Sequence, residues 1–135
     1  MIQSLQEKLY EDFPDLFADR NKSPRESCMS FGIECGNGWY DLIRSVCYRI
    51  KQHEENKKHR KESASDISVV FDQVKEKFGG LRIYYRGGDD YVDGVVDMAE
   101  EMSYKICERC GNRGTPNQGG WIVTLCDFCR QEDAI

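Results

Sequence analysis

Residues 105–129 read KICERCGNRGTPNQGGWIVTLCDFC, and this stretch decides how the C-terminal part of the chain can fold. It contains two cysteine pairs, each with two residues between its members, and 15 residues separate the pairs: Cys107, Cys110, Cys126 and Cys129. The spacing is typical of a tetrahedral zinc site, because a tight turn aims both thiolates of a pair at one ion. Four thiolates fill the coordination sphere, so we predict one structural Zn²⁺ without an open position for water.

The residues around the cysteine pairs agree with a zinc ribbon-like subdomain at residues 105–130. Gly111 follows the first pair, where the turn needs a residue that tolerates positive φ. The segment 111–120 is rich in glycine and predicts a loop, and WIVTL at 121–125 predicts a strand that enters the second pair. Disulfides or redox pairs are the alternative. The odd total of 7 cysteines, the expected lack of a signal peptide and the missing βαβ context oppose both.

A helix is predicted from about Asp90 to Ile106, leading directly into the first cysteine pair. At about 100° per residue, its apolar side chains gather on one face: Tyr91, Val95, Met98, Ala99 and Met102. We expect this face to dock on a β-hairpin, so that Val95, Met98 and Met102 form the main core with four further side chains: Trp39, Ile43, Leu81 and Ile83.

The opposite face of the same helix is acidic. It carries the candidate partner-binding residues Asp90, Asp93, Asp97, Glu100 and Glu101. An exposed acidic stripe of this kind can address a basic surface of another molecule, where complementary charge raises the association rate and the specificity. Plain solvation of an amphipathic helix is the other interpretation, and both stay open at this point.

The rest of the chain predicts an α+β protein, in which a small β-hairpin or sheet is packed by two to three helices and carries the C-terminal four-cysteine knuckle. Segments 67–74 and 81–85 predict the strands of a hairpin, although the spacing of the first also permits a helix. Helices are predicted at 2–12 and 39–55, a short strand at 29–33, and KEKFGG at 75–80 as the connector within the hairpin. We expect a single domain over 1–135 with three parts. Residues 1–28 form an N-terminal helical segment, and residues 29–104 form an α+β core that contains a mobile charged linker at about 56–66. Residues 105–130 form the ribbon.

Composition excludes several classes of protein. The chain has 135 residues and a formal net charge of −5, which argues against a general nucleic-acid binder. No apolar run approaches the roughly 18 residues that a membrane span needs. The first residues are acidic and lack the apolar region of a signal peptide, so we expect a cytoplasmic protein.

The sequence predicts no enzymatic activity, because it has no recognisable catalytic motif. The only histidines, His53 and His59, stand in the charged segment, where a general base would be poorly held. ECGNGW at 34–39 can be read as a phosphate-binding loop, but a tight turn is the better interpretation. The remaining cysteines, Cys28, Cys35 and Cys47, are predicted to be free thiols, and Cys47 is expected in the core. For Cys28 and Cys35, the alternative is a second metal site that includes a histidine.

Four segments resemble a family of small, mostly uncharacterised proteins of phages and prophages. They are ECGNGWYDLI (34–43), QVKEKFGGLRIYYRGG (73–88), VDMAEEMSYKICERCG (96–111) and GGWIVTLC (119–126). The most specific parts are KEKFGGLR and the cysteine pairs. In many relatives the last ligand position can be His, and here it is Cys129, an equally good zinc ligand. The resemblance covers roughly residues 29–130. It implies a protein with a zinc ribbon-like end that acts inside a bacterium, and it transfers no catalytic residue.

Small acidic phage accessory proteins often bind and block a host protein, and anti-CRISPR proteins are the best-known kind. The resemblance therefore implies a host partner, such as a CRISPR effector or another defence component. Two alternatives stay open. A nucleic-acid-binding ribbon would use Lys105, Arg109, Arg113 and Trp121, and a binder of a nucleotide signal would use Gly36 and Gly38 with the basic residues Lys75, Lys77, Arg82 and Arg86.

Overall fold

The computed structural model describes residues 1–60 and 68–133, and it confirms the predicted α+β class. The helices are α1 Gln3–Asp12, α2 Tyr40–His59, α3 Asp90–Ser103 and α4 Asp127–Asp133. The strands are β1 Ile33–Glu34, β2 Val70–Lys77, β3 Gly80–Arg86, β4 Thr115–Pro116 and β5 Thr124–Leu125. In the part of the chain described, no helix is both long enough and apolar enough to cross a membrane.

The predicted β-hairpin is present as β2 and β3, which pair in antiparallel orientation from Val70 opposite Arg86 to Lys77 opposite Gly80. β2 continues to Lys77, so the first part of the predicted connector belongs to the strand. Strand β1 adds to the other edge of β2 in parallel orientation, which gives a three-stranded sheet in the order β1-β2-β3.

A β-bulge interrupts the regular alternation of side chains in β2, whose sequence also permitted a helix. The pairing register shifts between Phe71 and Gln73, so one extra residue is accommodated in β2. Phe71 and Val74 are three positions apart, yet both are fully buried. In a regular strand this spacing would place them on opposite faces. The bulge brings both to the core.

One hydrophobic core joins α1, α2, α3, the three-stranded sheet and the segment between α1 and β1. Phe17 from this segment packs edge-on against Phe71, with 5.2 Å between the ring centroids. The buried members are Leu9, Phe13, Leu16, Phe17, Met29, Ile33, Cys35, Trp39, Ile43, Val46, Cys47, Ile50, Val69, Phe71, Val74, Leu81, Ile83, Val92 and Ala99. Trp39, Ile43, Leu81 and Ile83 thus lie in the core as predicted.

The predicted inward face of α3 is correct in part: Ala99 is buried and Val95 packs against the core, but the methionines lie outside it. Met98 is 62% exposed and Met102 is 38% exposed, whereas the buried residues of α3 are Val92, Ala99 and Ser103. At about 100° per residue, this buried face is rotated by roughly 80° from the predicted one. The apolar arc of α3 is wider than the surface it docks on, because Val92 and Val96 extend it on the side away from the methionines.

Several predicted boundaries also differ from the structure. Residues 29–33 do not form one strand, because Cys28–Phe31 is a 3-10 helix and only Ile33–Glu34 pair with β2. Helix α2 extends to His59, so residues 56–59 of the predicted linker are helical, and its residues 61–66 lie outside the described part of the chain. Helix α3 ends at Ser103, before the predicted end, and a turn leads into the first cysteine pair.

Candidate metal centre

The structure brings the four predicted ligands together. The sulfur atoms of Cys107, Cys110, Cys126 and Cys129 all lie within 4.8 Å of one another, so they can hold a metal ion. The Sγ atoms of Cys110 and Cys126 are 3.6 Å apart. A tetrahedral ion with metal–sulfur bonds of about 2.3 Å places its ligands about 3.8 Å apart, so the observed spacing fits such an ion.

The first cysteine pair lies in a tight turn of the backbone. The amide of Gly111 donates to the carbonyl of Cys107 at 2.9 Å, and Gly111 adopts a φ of +84°. This is the left-handed conformation that the sequence predicted for the position, and glycine adopts it without steric cost. Burial raises the pKa of the Cys107 thiol, but backbone N–H groups such as that of Cys110 outweigh burial and lower it to about 6. Such donors stabilise the thiolate that a metal requires.

The second pair lies where β5 passes into α4. Cys126 directly precedes the helix, and its carbonyl accepts from the amide of Arg130 at 3.0 Å. Cys129 follows one turn later, and its amide points at the sulfur of Cys126 at 3.4 Å. Burial, together with the neighbouring sulfurs, raises the pKa of the Cys129 thiol. A bound cation would reverse that effect, because it favours the thiolate.

The ribbon extends beyond its predicted end at residue 130 to the end of α4, so it comprises residues 105–133. It contains little apolar material. Strands β4 and β5 form a short antiparallel pair, and the amide of Glu108 donates to the carbonyl of Thr124 at 2.9 Å. Its buried hydrophobic cluster consists of Leu125, Cys107 and Cys129. Two of these three are predicted metal ligands, and Val123 and Cys126 pack against the cluster. Burial of apolar side chains therefore contributes little to the stability of the ribbon.

A clamp from the N-terminal half holds the first turn of the ribbon. The amide of Gly38 donates to the carbonyl of Glu108 at 2.7 Å, and the amide of Gly36 donates to the carboxylate of Glu108 at 2.8 Å. The indole of Trp39 donates to the carbonyl of Ile106 at 2.9 Å. A Cβ on Gly38 would lie 2.1 Å from the carbonyl oxygen of Cys107. These glycines therefore allow close approach of two backbones.

The turn of the β2–β3 hairpin makes a second connection to the ribbon. The hydroxyl of Thr124, which is fully buried, donates to the carbonyl of Gly79 at 2.6 Å. A Cβ on Gly79 would lie 3.0 Å from the side chain of Ile122. Sequence reasoning assigned no role to Thr124 or to the clamp. Both roles depend on contacts between distant segments, although the glycines of ECGNGW were a signal of close packing.

The predicted acidic residues lie on α3, and most are exposed. Asp90, Asp93, Asp97 and Glu101 are exposed, and Glu100 is half-buried. Three of the five interact within the protein. Glu100 lies 3.4 Å from Arg82, Glu101 lies 3.8 Å from Lys105, and Asp93 accepts a hydrogen bond from the hydroxyl of Tyr85.

The remaining cysteines do not join a metal cluster. Within residues 1–60 and 68–133, the four ribbon cysteines are the only group with metal-binding geometry. Cys28 is exposed, whereas Cys35 and Cys47 are buried. Burial raises the pKa of Cys35 to about 12 and that of Cys47 further, so both thiols stay protonated near neutral pH. His53 pairs with Asp89 at 2.7 Å.

The residues of the two alternative functions are largely occupied by other contacts. Arg109 forms a 2.6 Å salt bridge with Asp133, and Arg86 forms salt bridges with Asp19 and Asp72. Trp121 differs, because it is 84% exposed. It lies on the loop between β4 and β5.

No protein-family model matches the chain. No curated protein matches it, and no solved structure matches its fold. The resemblance to a phage protein family therefore stays a prediction, and the evidence for function comes from the geometry of the molecule itself.

Proposed function

We propose that the chain is a non-enzymatic binding protein whose ribbon is held by one structural Zn²⁺. The observation that carries the metal assignment is the cluster of four sulfur donors. Soft thiolates in a tetrahedral arrangement select zinc or iron–sulfur chemistry, and the Cys-x2-Cys pairs at ribbon spacing favour zinc. Four protein ligands complete the coordination of zinc, which gives the ion a structural role.

The partner that we propose is a protein of a bacterial host, bound through the acidic face of α3. Asp90 and Asp97 are exposed, and neither has a salt-bridge partner among the described residues. Unpaired surface carboxylates on a rigid helix can steer a basic partner and fix its orientation. With the resemblance to phage proteins, this supports an inhibitor of host defence in the cytoplasm, directed at a CRISPR effector or another defence component.

A matched pair of charge reversals tests the proposed function. Asp97→Lys with Glu101→Lys reverses the acidic face, and Glu7→Lys with Glu11→Lys makes the same charge change on α1. Each tagged protein captures partners from a host lysate in which the defence systems are induced. We expect a host protein that the wild type and the α1 variant retain and the α3 variant loses. Equal capture by both variants would contradict a role for the acidic face.

A nucleic-acid-binding ribbon is the second candidate, and exposed Trp121 is the observation in its favour. Asn117 holds the loop that carries Trp121, since its side-chain amide donates to the carbonyl of Trp121 at 2.9 Å. An exposed indole on an ordered loop can stack on a base. Binding of this kind falls steeply between 50 and 200 mM salt, and Trp121→Ala would remove it. Affinity that survives the higher salt would argue against this candidate.

A further inference from the structure

An apolar groove of about 450 Å³ runs between α2 and α3. Its α2 side includes Leu42 and Val46, and its α3 side includes Val95, Met98 and Met102. The α3 residues that line it extend from Tyr91 to Met102, which corresponds to about 16 Å of helix axis. This groove is the part of the apolar arc of α3 that the core of the protein does not cover.

Gly94 supplies an independent reason to regard the groove as a binding surface. It lines the groove in the middle of α3, where glycine costs about 1 kcal/mol relative to alanine. No atom lies within 4 Å of the position that a Cβ on Gly94 would occupy. Packing within the described protein therefore does not require glycine here. The missing side chain leaves room for another molecule to approach the backbone.

The shape and chemistry of the groove favour a helix as its occupant. Its lining is mostly apolar, and its hydrogen-bonding side chains are those of Ser45, Arg49, Asp90 and Tyr91. An extended peptide would leave its backbone N–H and C=O groups without partners there, whereas a helix satisfies them internally. Methionine side chains such as that of Met98 are flexible and adapt to different apolar surfaces.

The charge at the rim selects the kind of helix. Asp90 lines the groove on α3, and Arg49 lines it on the α2 side. Exposed Asp97 and Glu101 follow the groove-lining residues Gly94 and Met98 by three positions, which places them next to these residues along the helix. We propose that this groove binds an amphipathic helix of a partner protein, with apolar residues at i, i+3 or i+4, i+7 and i+11 and basic residues along the edge that faces α3. This inference rests on the proposed function and names the feature of the partner that would be recognised.

A second copy of the chain is a poorer occupant. In a two-fold dimer the same patch faces itself, so the acidic α3 helices of both copies would lie in one interface. The segment from Gly87 to Tyr104 contains six acidic residues and no basic residue, and the whole chain has a net charge of −5. Like charges placed opposite one another oppose such a contact.

Two designed 18-residue helical peptides test the proposal. Both carry the same leucine stripe, and their flanking positions are lysine in one and glutamate in the other. Fluorescence anisotropy measures their binding to the zinc-loaded full chain. We expect the lysine peptide to bind roughly tenfold tighter than the glutamate peptide, since several exposed ion pairs add up to that ratio. The preference should disappear in the Asp97→Lys, Glu101→Lys variant.

Gly94→Leu places a side chain in the groove at a position where an added Cβ meets no atom within 4 Å, and Ser4→Leu adds the same side chain at an exposed position of α1. We expect Gly94→Leu to keep the melting temperature and to weaken the lysine peptide at least tenfold, while Ser4→Leu leaves binding unchanged. Met98→Glu, at an exposed position, provides a second variant with the same expected loss.

Three results would overturn the proposal. In the first, the lysine and glutamate peptides bind the chain equally well. In the second, folded Gly94→Leu and Met98→Glu bind the lysine peptide as tightly as the wild type does. In the third, sedimentation shows a dimer of the chain that Gly94→Leu dissociates. Host-protein capture that still depends on Asp97 and Glu101 would then leave the proposed function standing without the groove. Peptide binding without such capture would support the groove and contradict the proposed function.

Discussion

The α+β core and the ribbon are built on different physical principles. In the core, 19 buried residues among those that the structure describes form one cluster, so burial of apolar surface can stabilise it. In the ribbon, Leu125 is the one buried hydrophobic residue that is not a cysteine. If the proposed Zn²⁺ is bound, metal–thiolate bonds would supply to the ribbon much of the free energy that apolar burial supplies to the core.

The comparison also shows how the two regions depend on each other. The clamp of Gly36, Gly38 and Trp39 joins them through hydrogen bonds to the first cysteine turn. The clamp belongs to the core, because Trp39 is fully buried there. The core therefore provides a rigid platform for the first cysteine pair, and the proposed metal would attach the second pair to it. Loss of metal should release the ribbon and leave the core folded.

The largest effect is expected from removal of a ligand. Cys107→Ser should abolish zinc binding and unfold residues 105–133, at a cost of several kcal/mol, because metal binding and folding of this region are coupled. Metal analysis and NMR spectra of the ribbon amides measure the two consequences. Cys28→Ser is the matched control, since Cys28 is exposed and outside the cluster, and it should change neither.

A cavity in the core should lower the stability of the core and leave zinc binding unchanged. Phe71 is fully buried, so Phe71→Ala should lower the free energy of unfolding by about 3–5 kcal/mol while the zinc content stays at one per chain. Met98→Ala is the control, because Met98 is 62% exposed and its loss should change stability by no more than about 0.5 kcal/mol. Denaturant titration compares the two, and equal losses would mean that the assigned inner face of α3 is wrong.

A substitution in the clamp should affect both regions. The Cβ of Gly38→Ala would lie 2.1 Å from the carbonyl oxygen of Cys107, so the turn must shift. We expect a loss of about 1–3 kcal/mol, typical of overpacking, together with weaker zinc binding in a competition assay with a chelator. Gly94→Ala has open space and should stabilise the protein by up to about 1 kcal/mol. Unchanged zinc affinity in Gly38→Ala would show that the regions are independent.

The smallest effect concerns the contact between α2 and α3. Burial raises the pKa of Asp89, but the hydrogen bond from His53 and further donors outweigh it and lower the pKa to about 2. A lowered pKa means stabilisation that is present above the ordinary value near 3.8 and lost as the pH falls toward 2. Asp89→Asn should therefore cost up to about 1 kcal/mol at neutral pH. The free energies of unfolding of the wild type and the variant should become equal as the pH falls from about 4 to 2. Urea unfolding with chelator present measures both. A constant difference over that range would rule out titration of Asp89 as the cause.

The sequence predicted the features that depend on local chemistry. The cysteine pairs, the positive φ of Gly111 and the alternation of Leu81 and Ile83 each follow from spacing or from one residue type. The orientation of α3 does not, because its apolar arc is wider than the surface it packs on and only the sheet selects which part is buried. The hydrogen bond of Thr124 to the hairpin turn likewise joins segments whose proximity no local pattern contains.

Hydrogen exchange with and without a zinc chelator, on protein of known metal content, tests the central claim most directly. Native mass spectrometry should find one zinc per chain. After chelation, the amides of Glu108, Gly111 and Gly114, which donate hydrogen bonds within the ribbon, should lose protection. The amides that pair β2 with β3 should keep theirs. Ribbon amides that stay protected in metal-free protein, or a core that opens together with the ribbon, would contradict the account.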